Sequence, residues 1–131
     1  MPTDESLTRK CVLLVEDDDI VRMLTVEVLE ALGYQVQAMS DAPSALELLR
    51  QGEPVDLLMT DIGLPGLGGR ELAQASRELR PGLPVLFASG YDEPLILDEA
   101  RQQHPQARTE SIVKPYDLGL LAEHLSQLSG V

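Results

Sequence analysis

Short, almost uninterrupted apolar runs punctuate this chain, and the stretches between them carry apolar residues at helical spacing. The first run is Cys11 to Val15. Ile20, Val21, Leu24, Val28, Ala31 and Leu32 then recur as one face of a helix until Gly33 stops it. A weaker strand, Tyr34 to Ala38, follows. Asp41 is suited to cap a helix whose apolar face is Ala42, Ala45, Leu46 and Leu49, ending at Gly52. Val55 to Thr60 reads as a third strand, followed by a Gly/Pro-rich loop from Gly63 to Gly69. Leu72, Ala75 and Leu79 mark the next helix, closed by Pro81-Gly82. Pro84 to Ala88 is a fourth strand. Leu95, Ile96, Leu97 and Ala100 suggest a short helix that His104-Pro105 ends. Ser111 to Val113 is a short fifth strand, and Asp117 caps a last helix bearing Leu118, Leu121, Ala122, Leu125 and Leu128. Apolar strands alternating with amphipathic helices predict an α/β fold: (βα)5, a doubly wound parallel five-stranded sheet covered on both faces. The 131 residues suit one domain over 10–129, preceded by a disordered N-terminal extension over 1–9.

Charge and composition remove several functional classes. The formal charge is −12, opposite in sign to the basic footprint that nucleic acid requires, and it disfavours anionic membrane surfaces. No apolar run approaches the roughly 18 residues of a membrane span, and Met1 to Lys10 lacks the apolar core of a signal peptide. One cysteine, Cys11, cannot form an internal disulfide, so the expected compartment is a reducing cytoplasm and the expected role of Cys11 is packing. Aromatic residues are 3% of the chain, too few for a platform that stacks bases or sugars.

Ligands of such sheets bind beyond the carboxyl ends of the strands. There the first strand runs into Glu16-Asp17, the third into Thr60-Asp61, the fourth into Ser89-Gly90 and the fifth into Lys114-Pro115. Three carboxylates, a hydroxyl and an ammonium thus converge on one rim. Two carboxylates about 5 Å apart repel by about 3 kcal/mol at an effective dielectric of about 20. Such a cluster either raises a pKa or binds a cation. The candidate ligands are all oxygens, which points to Mg²⁺, with Mn²⁺ as an alternative, rather than to zinc. A metal that keeps several waters usually serves a phosphoryl group, whose other oxygens Lys114 and Ser89 would complement. Asp18 and Asp19 read as caps of the following helix, and His104 and His124 lie away from the rim.

These residues carry a family resemblance. VLLVEDD (12–18), DLLMTDIGLPG (56–66), VLFASGY (85–91) and VKPY (113–116) together make the chain resemble the receiver domain of two-component response regulators, over about Lys10 to Leu128. The resemblance implies a flavodoxin-like fold with Asp61 as phosphoacceptor. It implies Mg²⁺ held by Asp17 directly, by Glu16 largely through water, by Asp61 and by the backbone carbonyl of Gly63. Ser89 stands at the family's hydroxyl position, Lys114 pairs with the phosphoryl group, and the Lys114-Pro115 bond is expected cis. The implied partners are a histidine kinase or histidine phosphotransfer protein as donor, and a downstream protein reading the face of the fourth helix, fifth strand and fifth helix. No nucleic acid or membrane partner is expected. Gly63 and Tyr91 flank the acceptor and would tune dephosphorylation. Two departures stand out. Gly66-Leu67-Gly68-Gly69 lacks the acidic residue common in that loop, which implies a looser loop, and Ser111 occupies the position of the family's switch aromatic. DLLMTDIGLPG followed by LFASGY looks like the subgroup found in hybrid sensor histidine kinases, whereas the Met1-Pro2 start favours a free-standing regulator.

Three other readings compete. A haloacid-dehalogenase-like phosphatase would use Asp17 as nucleophile within Asp17-x-Asp19, with Ser89 and Lys114 echoing its later motifs. It lacks an acidic pair after Lys114 and room for a cap domain. A flavodoxin-like flavin binder would need a Ser/Thr/Gly phosphate loop where this chain has carboxylates. A degenerate receiver serving as a protein-binding module is disfavoured because all five key positions are filled.

Overall fold

Successive strand residues point to opposite sides of the sheet, and in this chain both sides are apolar. The computed structural model describes residues 9–129. Its elements are β1 (Cys11–Val15), α1 (Asp19–Ala31), β2 (Gln35–Met39), α2 (Ala42–Arg50), β3 (Leu57–Asp61), α3 (Gly69–Leu79), β4 (Val85–Ser89), α4 (Pro94–Gln103), β5 (Thr109–Val113) and α5 (Leu118–Ser129). The five strands form one parallel sheet in the order β2-β1-β3-β4-β5. The expected (βα)5 doubly wound fold is therefore present. The disordered extension expected over 1–9 lies, apart from Arg9, outside the described residues. No described helix is long and apolar enough to cross a membrane.

Leu13, Val15, Leu58, Val85 and Phe87 pack on one side against Ala42, Ala45, Leu46 and Leu49 of α2 and Leu72 and Ala73 of α3. Val12, Leu14, Leu57, Met59, Leu86 and Ile112 pack on the other against Leu29 of α1 and Leu121, Leu125 and Leu128 of α5. Three of the helices, α1, α2 and α5, begin at an aspartate that caps them. Asp18 accepts from the amides of Ile20 and Val21, Asp41 from that of Ser44, and Asp117 from that of Leu120. Past α1 the chain turns at Gly33, whose φ of 99° lies in the region glycine adopts without strain.

Strand limits shift by a residue or two from the sequence reading. The expected Val55 start of β3 is displaced because Asp56 turns its carboxylate to the Cys11 amide, 2.7 Å away, before the ladder begins. Two helix faces differ from expectation. The apolar stripe assigned to α1 points largely outward: Ile20 is 66% and Leu24 51% exposed, while Thr25 and Leu29 are buried. The helix is apolar on more than one face, and Leu29 rather than Leu24 reaches α5 and the sheet. On α3, Leu79 is exposed and the buried positions are Gly69, Leu72, Ala73, Ser76 and Arg77.

Arg77 explains that rotation. Its side chain is only 1% exposed, yet its guanidinium finds acceptors: Nε donates to the Leu83 carbonyl, and Nη2 to the Arg108 carbonyl and the Thr109 hydroxyl. Burial pulls its pKa down to about 10, so it remains charged at neutral pH. One cation thus fastens α3 to the turn before β4 and to the start of β5. Arg77→Ala is expected to cost about 3 kcal/mol in urea unfolding, since it empties core volume and leaves the Leu83 carbonyl without its donor, while the Arg108 carbonyl keeps the Val85 amide. Arg77→Met restores the volume but not the donors and should still cost more than about 1 kcal/mol; a smaller loss would mean bulk alone is at work.

Candidate functional site

β1 sits between β2 and β3, so the strand order reverses there and opens a crevice above the ends of β1 and β3. Val15 is in register with Thr60, which brings Glu16 and Asp17 level with Asp61. One oxygen from each of Glu16, Asp17 and Asp61 lies within 4.8 Å of the others. Glu16 is buried, Asp61 half-buried and Asp17 exposed. The set is all oxygen, mixed in exposure and open on one side, which fits a hard cation that retains water.

Lys114 reaches this cluster from the far edge of the sheet. Its Nζ donates to Glu16 Oε1 and, at 3.1 Å, to Asp61 Oδ2. Burial disfavours the ammonium, but the hydrogen bonds it donates to Glu16 and Asp61 outweigh that, and the pKa stands above the ordinary lysine value. The Lys114-Pro115 bond is cis, and the Lys114 amide donates to the Ser89 carbonyl at 2.7 Å. The neighbouring Tyr116 is half-buried, and burial holds its phenol above the usual range.

The remaining expected residues surround Asp61. Gly63 contributes its amide, which donates to Asp61 Oδ1 at 3.0 Å. Ser89 ends β4 nearly buried, and its Oγ accepts from the Tyr91 amide at 3.1 Å rather than bonding a carboxylate. Asp18 and Asp19 do not join the cluster: Asp18 caps α1, and Asp19 pairs with Arg22. The expected looseness of the Gly66–Gly69 loop does not extend to its end. The Gly69 amide donates to the Ile62 carbonyl, and a Cβ on Gly69 would lie 2.1 Å from the Asp61 carbonyl oxygen. Only glycine permits α3 to begin this close beneath the acceptor candidate.

Two residues escaped the sequence reading. One is Gly69 in this packing role. The other is Arg22, whose Nη1 donates to the Glu16 carbonyl at 2.9 Å and whose Nη2 meets Asp19 at 2.6 Å. Its one legible signal was the (i, i+3) spacing from Asp19.

Known proteins resemble this chain in sequence and in fold. The profile of the response regulator receiver domain matches residues 12–126. The receiver protein CpdR of Brucella abortus is 42% identical over 82 residues, covering 63% of this chain and 68% of CpdR. The sensor kinase CckA of Brucella abortus is 34% identical over 118 residues, covering 89% of this chain but 12% of that much longer protein. A solved response regulator receiver protein from Sinorhizobium medicae superposes with a TM-score of 0.80 at 26% identity, covering 96% of this chain and 98% of that one.

The Lys114 contacts carry a pH signature. A lysine whose folded pKa is raised adds stability that is full below its unfolded pKa of about 10.4 and is lost as pH rises through the folded value. The native chain should exceed Lys114→Met by about 2 kcal/mol at pH 8 in urea unfolding. That gap should narrow above about pH 10.5. A gap that stays constant over this range would show that the ammonium contributes nothing.

Proposed function

This chain belongs to the response regulator receiver family of two-component systems, and on that premise we propose that Asp61 accepts a phosphoryl group from a phosphohistidine in a Mg²⁺-dependent reaction. The observation that carries the proposal is the joint contact of Lys114 with Glu16 and Asp61 inside a three-carboxylate cluster. The donor is a histidine kinase or a histidine phosphotransfer protein. Residues 10–129 are the receiver unit, acting in the cytoplasm.

Asp61 is the group suited to attack. It is open enough to meet a donor, and its Oδ1 is oriented by the Gly63 amide. An Asp61 oxygen forms the new P–O bond as the P–N bond to the donor imidazole breaks. The departing electron pair stays on the imidazole nitrogen, and the ring leaves neutral because its other nitrogen carries a proton. Lys114 then follows the charge from the carboxylate to a phosphoryl oxygen. The Ser89 hydroxyl, one step beyond the pairing of Asp61 with Ala88, turns from the Tyr91 amide to another phosphoryl oxygen. Glu16, Asp17, Asp61 and the Gly63 carbonyl would hold Mg²⁺, which when bound would neutralise charge on the transferred group. A phosphatase reading with Asp17 as nucleophile draws no support, because Asp19, its partner in that motif, is paired outward to Arg22.

The outward face of α1 supports a site for the donor. Val21, Leu24, Val28, Pro115 and Tyr116 line an apolar groove of ≈ 360 Å³ that Lys114 also borders. Ile20 and Met23 of the same helix are also exposed. A helix of the donor laid along this groove would bring its phosphohistidine over the rim. The output is read from the face of α4, β5 and α5. α4 has no fully buried residue; it rests Ile96 and Ala100 on the core and adds ionic contacts, Arg70 with Glu99 and Arg101 with Glu110.

Incubation with acetyl phosphate and Mg²⁺ should add one phosphoryl mass to the intact chain, mapped to Asp61. Full labelling of Asp61→Ala would sink the assignment. Met23→Glu and Leu24→Glu should slow transfer from a phosphohistidine protein that labels the native chain by about tenfold. Labelling by acetyl phosphate should stay close to native in both, and equal loss with both donors would exclude α1 as the docking face.

A further inference from the structure

The run Glu16-Asp17-Asp18-Asp19 sets four carboxylates side by side, yet only the first two face Asp61. Asp18 is occupied by the first amides of α1. Asp19 is 86% exposed, drawn away from the cluster by Arg22 Nη2. The other terminal nitrogen of the same guanidinium, Nη1, holds the main-chain carbonyl of Glu16 at 2.9 Å. Glu16 in turn accepts from the Asp18 amide at 3.1 Å and from Lys114. One planar, two-armed donor therefore spans both ends of the turn in which Asp17 lies.

We infer that Arg22 is a positioning residue for the cation site: its grip on the Glu16 carbonyl and the Asp19 carboxylate fixes the β1–α1 turn so that Asp17 faces Asp61 and Asp19 does not. The inference rests on the Mg²⁺ reading of the preceding subsection. Charge alone argues the other way. A guanidinium beside the cluster repels an incoming cation, so its removal would tighten binding if electrostatics were its only effect. Positioning predicts the opposite sign, because groups that orient metal ligands typically change affinity by about 10–100-fold. The fork shape is what the geometry uses. A lysine keeps the charge but gathers its donors on one nitrogen, so it does not reproduce the spacing of the two guanidinium nitrogens that here reach the carbonyl and the carboxylate.

The test is equilibrium binding of Mn²⁺, read from the free-ion electron paramagnetic resonance signal and competed with Mg²⁺, on the native chain, Arg22→Lys and Arg22→Ala. Circular dichroism checks that each is folded. The native chain should bind, and both variants should bind at least about tenfold more weakly, Arg22→Ala despite its lost positive charge. If Arg22→Ala fails to fold, Arg22→Lys decides alone. Native affinity in Arg22→Lys, or tighter binding in Arg22→Ala, overturns the positioning role and leaves the Mg²⁺ reading intact. No competable binding by the native chain overturns the Mg²⁺ reading and this inference with it.

Discussion

Mutual repulsion among Glu16, Asp17 and Asp61 is the constraint around which this end of the molecule is arranged. Parallel strands deliver all their carboxyl ends to one edge, and the two neighbouring ends of β1 and β3 carry three carboxylates. Left alone, the three charges would oppose each other by several kcal/mol. The fold answers with donors from every side: Lys114 from beyond β5, the Gly63 amide from the following loop, and the Asp18 amide from the α1 turn. Neighbouring strands lie about 4.8 Å apart, so β5 stands about 10 Å from β3. Only a long, flexible cationic stem launched from the turn after β5 spans that gap.

The same constraint explains which parts of the site were readable from sequence. Residues at the ends of buried apolar runs must surface at the rim, so Glu16, Asp17, Asp61, Ser89 and Lys114 could be named before any coordinates. Their family resemblance was legible because it combines four separate segments. What could not be read depends on where two elements meet. Arg22 acts on a main-chain carbonyl six residues back, which no pattern of residue types reveals. Gly69 looked like part of a slack glycine-rich loop, yet it is held against the Asp61 backbone by α3. Arg77 on an amphipathic helix reads as a solvated face until the strand ends supply three acceptors.

The exposed side of α1 makes the same point in reverse. Its apolar stripe had the spacing of a core face, and spacing alone assigns such a stripe inward. The helix meets the core through Leu29, with Val26 and Val28 packed beside it, which leaves Ile20, Met23 and Leu24 exposed. At the opposite side of the rim, Ser111 has no ring to turn. There α4 is fastened by Glu99 to Arg70 and by Arg101 to the Thr109 carbonyl and Glu110. In the proposed function, charge arriving on Asp61 and released from Lys114 would therefore reach the output face through polar contacts rather than through a moving aromatic side chain.

The central claim is that these carboxylates form one cation-dependent acceptor centred on Asp61. Beryllofluoride, which imitates a phosphoryl group on a carboxylate, tests it without turnover. Fluorine NMR of the native chain with beryllofluoride should give protein-bound resonances only when Mg²⁺ is present, and Asp61→Asn should give none. Bound resonances that persist without a divalent cation, or that survive Asp61→Asn, would contradict the account.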